Sequence, residues 1–300
     1  VTGTDDRAHD RTPAVTRRDA LATLGGAALA GALGTVPRAA HAASGMAPAA
    51  GRLAQSVARW CFARTPIDQL CATARELGMV GVDLLGPEEW DAPKRVGLTC
   101  TMGNSFGTIP RGFNRPDHHD RLVADGEAYI PRAAAAGVTK IVVFSGNRAG
   151  LSDGEGIANC IKGLDRLMPS AERHGVTLCM EMLNSKVDHA DYHADHTAWA
   201  VEVAKGIASP HFRLLYDVYH MQVMEGDVIA TMRANLPWIA HVHTAGVPGR
   251  AEIDARQELN YRGIATFLAE AKFGGVVAHE FIPRGDGVAA LREAVATCGV

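Results

Sequence analysis

The chain has 300 residues, of which 47% are hydrophobic and 21% charged, and its formal net charge is −3. That balance is globular and excludes a disordered or fibrous chain. Slight acidity with no sustained Lys/Arg run excludes a general polyanion binder, and beyond residue 42 no uninterrupted apolar stretch is long enough to span a membrane.

Residues 15–42 come first as a distinct segment. Arg17 and Arg18 form a twin-arginine pair, an Ala/Gly/Leu-rich run follows over 20–36, and Ala40-His41-Ala42 is a small-x-small cleavage pattern. This resembles a bacterial twin-arginine export signal. Residues 1–42 are therefore expected to be a cleaved signal, 43–51 a disordered linker, and the mature protein periplasmic with no membrane attachment. The six cysteines match neither a metal-knuckle nor a disulfide spacing, and Cys100 and Cys179, set among apolar residues, read as core thiols.

From residue 52 onward short apolar runs alternate with Ala-rich helical patterns. Strands are predicted at 56–62, 79–84, 96–101, 140–145, 176–181, 213–217, 239–243 and 276–280. Helices are predicted at 67–77, 118–136, 157–174, 193–205, 227–235, 261–272 and 287–296. The link between the second and third strands is short and weakly helical. Gly78, Gly137, Gly175 and Gly274 stand where helices stop just before strands, as residues that tolerate a left-handed backbone should. Eight strands alternating with helices over about 250 residues is the count of a single-domain (β/α)8 TIM barrel of the α/β class. A doubly wound sheet would carry a glycine-rich phosphate loop after its first strand, and WCFARTPIDQL has none.

Four successive strands end on groups that bind metals. These are Glu181 (TLCME), Asp217 (LLYD), His243 (IAHVH) and Glu280 (VVAHE). Closing the barrel brings the four ends around one mouth. One carboxylate there could belong to a structural ion pair, but three crowded together repel one another and take up protons unless positive charge is supplied. One divalent cation supplies it, and oxygen ligands with a single imidazole suit Mn²⁺, Mg²⁺ or Co²⁺, with Zn²⁺ as the alternative. Such a cation polarises a carbonyl, while a neighbouring carboxylate, Glu181 or Glu280, removes a proton from the adjacent carbon. Return of the proton to the enediolate gives an isomer or an epimer.

Other polar residues are placed by position. His220, three residues past Asp217, is set to donate to a substrate oxygen. Arg250, on the glycine-rich loop after the seventh strand, would pair with a substrate carboxylate or hydroxyl, and Glu252 would orient it or touch substrate. Arg148 follows the fourth strand as a further clamp. Lys186, Asp188 and His189 lie on a long loop that could act as a lid. His241 shares the face of His243 one layer deeper, where it could orient a ligand.

The segments CMEMLN, YDVYHMQVMEGD, PGRAEIDARQELNY and HEFIP resemble the hydroxypyruvate isomerase family, within the wider xylose isomerase-like barrel group, and the resemblance covers residues 52–295. It implies that Glu181, Asp217, His243 and Glu280 are the metal ligands and that Glu181 and Glu280 exchange protons. It also implies that His220 and Arg250 touch substrate. Asn184 and Lys186, on the loop after the fifth strand, are further substrate-binding candidates. The partner it implies is a small hydroxy-keto acid or sugar rather than nucleic acid, and it admits a homodimer. Two departures stand out. His243 occupies a position where hydroxypyruvate isomerases tend to carry Gln and ketose 3-epimerases carry His. NSKVDHADYHADHTAW and TIPRGFNRPDHHD look like marks of a separate, often exported subgroup. A ketose 3-epimerase and a sugar or polyol dehydratase on the same metal site therefore stay open. So do an endonuclease-like hydrolase, which would want more His ligands and a basic track, and a non-catalytic sugar-binding barrel.

Overall fold

The computed structural model describes residues 53–300, so the expected signal, its cleavage pattern and the linker lie outside the described residues. Eight parallel strands close in sequential order: β1 (Ala54–Ala58), β2 (Gly81–Leu85), β3 (Thr99–Gly103), β4 (Lys140–Val143), β5 (Thr177–Glu181), β6 (Phe212–Asp217), β7 (Ile239–Thr244) and β8 (Val276–His279), with β8 beside β1. Their near-continuous apolar text follows from burial on both faces. Helices cover the outside and side chains fill the inside. The inner core takes one residue from each of the first six strands, namely Ala58, Leu84, Met102, Val142, Cys179 and Leu215. In register with Leu215, β7 supplies His241 instead.

The outer helices are α1 (Ile67–Glu76), α2 (Pro116–Ala135), α3 (Asp153–Asp165), α4 (Met168–His174), α5 (Thr197–Ile207), α6 (Val218–Met224), α7 (Val228–Asn235), α8 (Tyr261–Glu270) and α9 (Gly287–Cys298). Two departures from the sequence reading have physical causes. The helix expected over 157–174 is two helices, because Pro169 lacks the N–H that would continue the ladder and instead sits in the first turn of α4. The helix expected from 193 begins only at Thr197. Residues before it are loop, held by the Ser185 hydroxyl donating to Asp195 at 2.5 Å and by the His193 N–H donating to the Gly146 carbonyl at 3.0 Å. Between β2 and β3 there is only a 3-10 turn, Pro93–Val96. All six cysteines lie among the described residues and are unpaired, and Cys100 and Cys179 are buried as expected.

Candidate active site

Register places the site. Asp217 pairs with His243 and His243 with Ala278, so with a side-chain period of two, Glu280 projects inward one step further along. Glu181 lies two residues past inward-facing Cys179. One ligand atom from each of Glu181, Asp217, His243 and Glu280 lies within 4.8 Å of the others, and all four residues are buried. Asp217 divides its two oxygens. Oδ1 caps α6, accepting from the Tyr219 and His220 N–H groups at 2.8 and 3.3 Å, which leaves Oδ2 to face the cluster.

His243 is oriented from behind. Its Nε2 lies 2.8 Å from Oδ2 of Asp83, a fully buried acid on β2. The other Asp83 oxygen accepts from the Thr101 hydroxyl at 2.6 Å and lies 3.1 Å from His241 Nε2. Burial alone would raise the Asp83 carboxyl, but the two imidazoles outweigh it and hold it well below the usual range. With Nε2 held by Asp83, Nδ1 is the ring nitrogen that faces the mouth. Nδ1 sits 2.9 Å from Glu280 Oε2 and 3.4 Å from Glu181 Oε1 but is aligned for a hydrogen bond with neither, and Glu181 Oε1 also has no partner.

The charges are strongly coupled. Burial, followed by repulsion from Glu280 and the other acids, drives Asp217 up to about 7 despite nearby Arg250. Burial likewise raises Glu181, against its contact with His243. Glu280 is also buried, yet His243 and Arg250 together hold it well below its ordinary value. Burial would lower His243, but Glu280 and the contacts with Asp83 and Glu181 raise it well above the usual imidazole range. Three acids around one imidazole require positive charge, and here a proton on His243 and the Arg250 guanidinium provide it. A divalent cation fits the same four atoms. The donor set is hard and anionic, and His243 Nδ1 and Glu181 Oε1 are orphaned toward a common centre.

Arg250 takes a left-handed backbone (φ 55°), and its carbonyl accepts from the Ile282 N–H at 2.8 Å, so the loop after β7 is tied to the loop after β8. Its guanidinium lies 2.6 Å from Glu280 and 3.4 Å from Asp217, between the rings of Trp60 and Tyr219. The Trp60 indole donates to Glu280 Oε1 at 2.6 Å. His220 is fully buried. Its Nδ1 accepts from the Asn184 backbone N–H at 3.1 Å and side-chain amide at 2.7 Å, which places the ring proton on Nε2, 3.6 Å from Asp217 Oδ2.

These residues border a cavity of about 470 Å³ at the C-terminal mouth of the barrel. Of the residues singled out from sequence, Glu181, Glu280, Arg250 and His189 line it, with Asp217, His243 and His220 directly behind. Four others are engaged elsewhere. Asn184 is buried and holds His220, and the Lys186 ammonium donates to the Val223 and Met224 carbonyls. Glu252 pairs with Arg284 at 2.7 Å and Arg148 with Asp153 at 2.5 Å. None of the four is among the residues that line the cavity. Asp83 and Trp60 were not singled out. A lone acid in the apolar text MVGVDLL was the available signal for Asp83; Trp60 had none.

The family model for a xylose isomerase-like TIM barrel matches residues 90–298. The chain belongs to this barrel family. Among relatives, the hydroxypyruvate isomerase of Escherichia coli is 26% identical over 231 residues, covering 73% of this chain and 89% of that protein. The 2-oxo-tetronate isomerase of Pectobacterium atrosepticum is 26% identical over 238 residues, covering 75% and 89%. The crystal structure of an AP endonuclease, family 2, from Brucella melitensis superposes with a TM-score of 0.71 at 25% identity, covering 80% of this chain and 97% of that one. The barrel is thus shared by proteins named for different chemistries, and function has to be argued from the site.

Proposed function

We propose that the protein is a divalent-cation-dependent isomerase of a small 2-hydroxy-carbonyl compound, hydroxypyruvate-like or sugar-like, working by carboxylate proton transfer. One observation carries this reading: Glu181 and Glu280 reach His243 Nδ1 from two different strands, at 3.4 and 2.9 Å, with the cavity beside both. The relatives named as isomerases support it.

Glu181, Asp217, His243 and Glu280 would hold the cation. When bound, it would polarise the substrate carbonyl and acidify the neighbouring hydroxyl. Glu181 and Glu280 flank the carbon that loses its proton, so one takes it and the other serves its return. The Arg250 guanidinium, fixed between two rings, offsets negative charge developing on a substrate oxygen. His220 Nε2–H is held in its donor tautomer by Asn184. A second reading, epimerisation at one carbon, rests on the two glutamates reaching the site from β5 and from just past β8, which would let a proton leave to one and return from the other.

The test is incubation with hydroxypyruvate, 2-oxo-tetronate and small ketoses in heavy water, with Mn²⁺ supplied. The expected result is deuterium entering beside a carbonyl, lost in both E181Q and E280Q. Exchange persisting in E280Q removes its catalytic role. The export signal belongs to the same proposal and is tested by fractionating cells that express the full chain and an R17K/R18K variant.

A further inference from the structure

The three acids of the cluster are fixed in different ways. Asp217 Oδ1 is held by two backbone N–H groups, whereas Glu181 Oε1 has no partner. Glu280 is held by a side chain from the far side of the sequence. The Trp60 indole donates to its Oε1 at 2.6 Å, and Oε2 is left toward His243 Nδ1 at 2.9 Å and Arg250 at 2.6 Å. An indole N–H is a neutral donor with no acceptor. It can therefore fix a carboxylate without bringing a charge that competes with a cation for the same group.

Packing does not account for this tryptophan. Among the described residues four large hydrophobics are exposed, and Trp60, at 43%, is the one of them that lines the cavity. The turn that carries it, Trp60–Phe62 after β1, is anchored without the indole. The Arg59 N–H donates to the Asp83 carbonyl at 2.9 Å, and the Arg59 guanidinium reaches the Phe62 carbonyl at 2.9 Å and Glu89 at 3.0 Å. The buried Phe62 ring meets Phe281 edge-on, with centroids 6.1 Å apart, directly beside Glu280 in sequence. The backbone on both sides of the Trp60–Glu280 bond is thus fixed by other contacts, and the bond itself sets only where the carboxylate points. The face of the same ring lies 5.2 Å from the Arg250 guanidinium carbon.

We infer that Trp60 is a positioning residue for Glu280: its N–H holds Oε1 so that Oε2 alone is presented to the cation and the substrate, while its ring face keeps Arg250 against that oxygen. What Glu280 does there rests on the isomerase reading; what aims it does not. Without the N–H, the carboxylate is free to turn about its last torsion, and both oxygens compete for the centre. A donor that orients a metal-binding group in this way is worth about 10–100-fold in metal affinity.

The experiment titrates Co²⁺ calorimetrically into the full chain, into W60F, and into protein carrying 3-benzothienylalanine in place of Trp60. The last keeps the shape of tryptophan and removes only the N–H. Both replacements are expected to weaken Co²⁺ binding about tenfold or more, to change the visible absorption of the bound Co²⁺, and to melt within about 2 °C of the wild type, as a partly exposed ring should. On any compound that exchanges in the heavy-water assay, kcat should fall about tenfold or more while KM stays within about threefold. Wild-type Co²⁺ affinity in the benzothienyl protein overturns the inference, whatever happens to turnover. Weaker binding that comes with a large drop in melting temperature in both replacements also overturns it, because the ring would then serve the fold. If W60F does not fold, the benzothienyl protein decides alone. If no compound exchanges even in the wild type, the isomerase reading fails, and weakened Co²⁺ binding at unchanged stability still upholds the role of Trp60.

Discussion

Asp83→Asn is the substitution that most sharply separates positioning from packing. Asp83 is fully buried and accepts from two donors, Thr101 Oγ1 at 2.6 Å and His243 Nε2 at 2.8 Å, with His241 Nε2 3.1 Å away. Asparagine has the same shape but offers one acceptor oxygen, and its amide N–H groups would face an imidazole N–H. One charge-assisted hydrogen bond in a dry site is lost, about 1.5–3 kcal/mol. Loss of a carboxylate that orients a metal-binding imidazole costs about 10–100-fold in metal affinity. At about 1.4 kcal/mol per tenfold that is the same size of effect, as it should be if the bond serves to aim Nδ1. Isothermal titration with Co²⁺ and a thermal melt on the same sample provide the assay. D83N is expected to bind Co²⁺ about 10–100-fold more weakly, with Tm lower by about 4–8 °C for about 2 kcal/mol at this chain length. T101V, which leaves the His243 contact intact, is expected to lower Tm with Kd changed by no more than about twofold. If D83N melts early yet keeps the wild-type Kd, Asp83 is only structural and the orientation of His243 has another cause.

Three further outcomes are expected. N184A frees the ring that the amide holds at 2.7 Å, and kcat should fall about ten- to hundredfold through misplacement of His220; unchanged kcat would show that His220 does not act in the reaction. R250K replaces a planar fork lying between Glu280 and Asp217 with a point charge, so kcat/KM should fall while the fold persists by circular dichroism, and full activity would remove Arg250 from the site. His193 gives a pH dependence of stability. Burial, then Arg148, holds its imidazole below the ordinary value. As pH falls through about 6.5 the unfolded chain takes up this proton before the folded one, so the contribution present at neutral pH is lost on acidification. Urea midpoints should therefore drop less between neutral and mildly acid pH in H193Q than in the wild type. Equal slopes would place the relevant titration elsewhere.

The barrel was legible because its strands are buried on both faces. Runs such as FRLLYD stand out as apolar text ending on an acid, and each end falls about one strand-helix unit after the last. Glu181, Asp217, His243 and Glu280 could be grouped for that reason, since closure alone carries them to one mouth. Asp83 could not be paired with His243 from sequence, because the contact spans 160 positions and depends on the register between non-adjacent strands. The helix boundaries around Pro169 and Thr197 turned on local bonding rather than periodicity. In DHADYHADH the Asp and His side chains bind the loop to neighbouring segments instead of starting α5. Arg148, Lys186 and Glu252 stood in the right loops, but each has a nearer partner than the cavity. Sequence position fixes the loop and not the direction of a long side chain.

One shared cation centre underlies all of the proposed chemistry. The direct measurement is anomalous diffraction from crystals of the protein grown with Mn²⁺. The predicted result is a single strong peak about 2.0–2.3 Å from an oxygen of each of Glu181, Asp217 and Glu280 and from His243 Nδ1. A peak elsewhere, or none at these four side chains in Mn²⁺-saturated crystals, contradicts it.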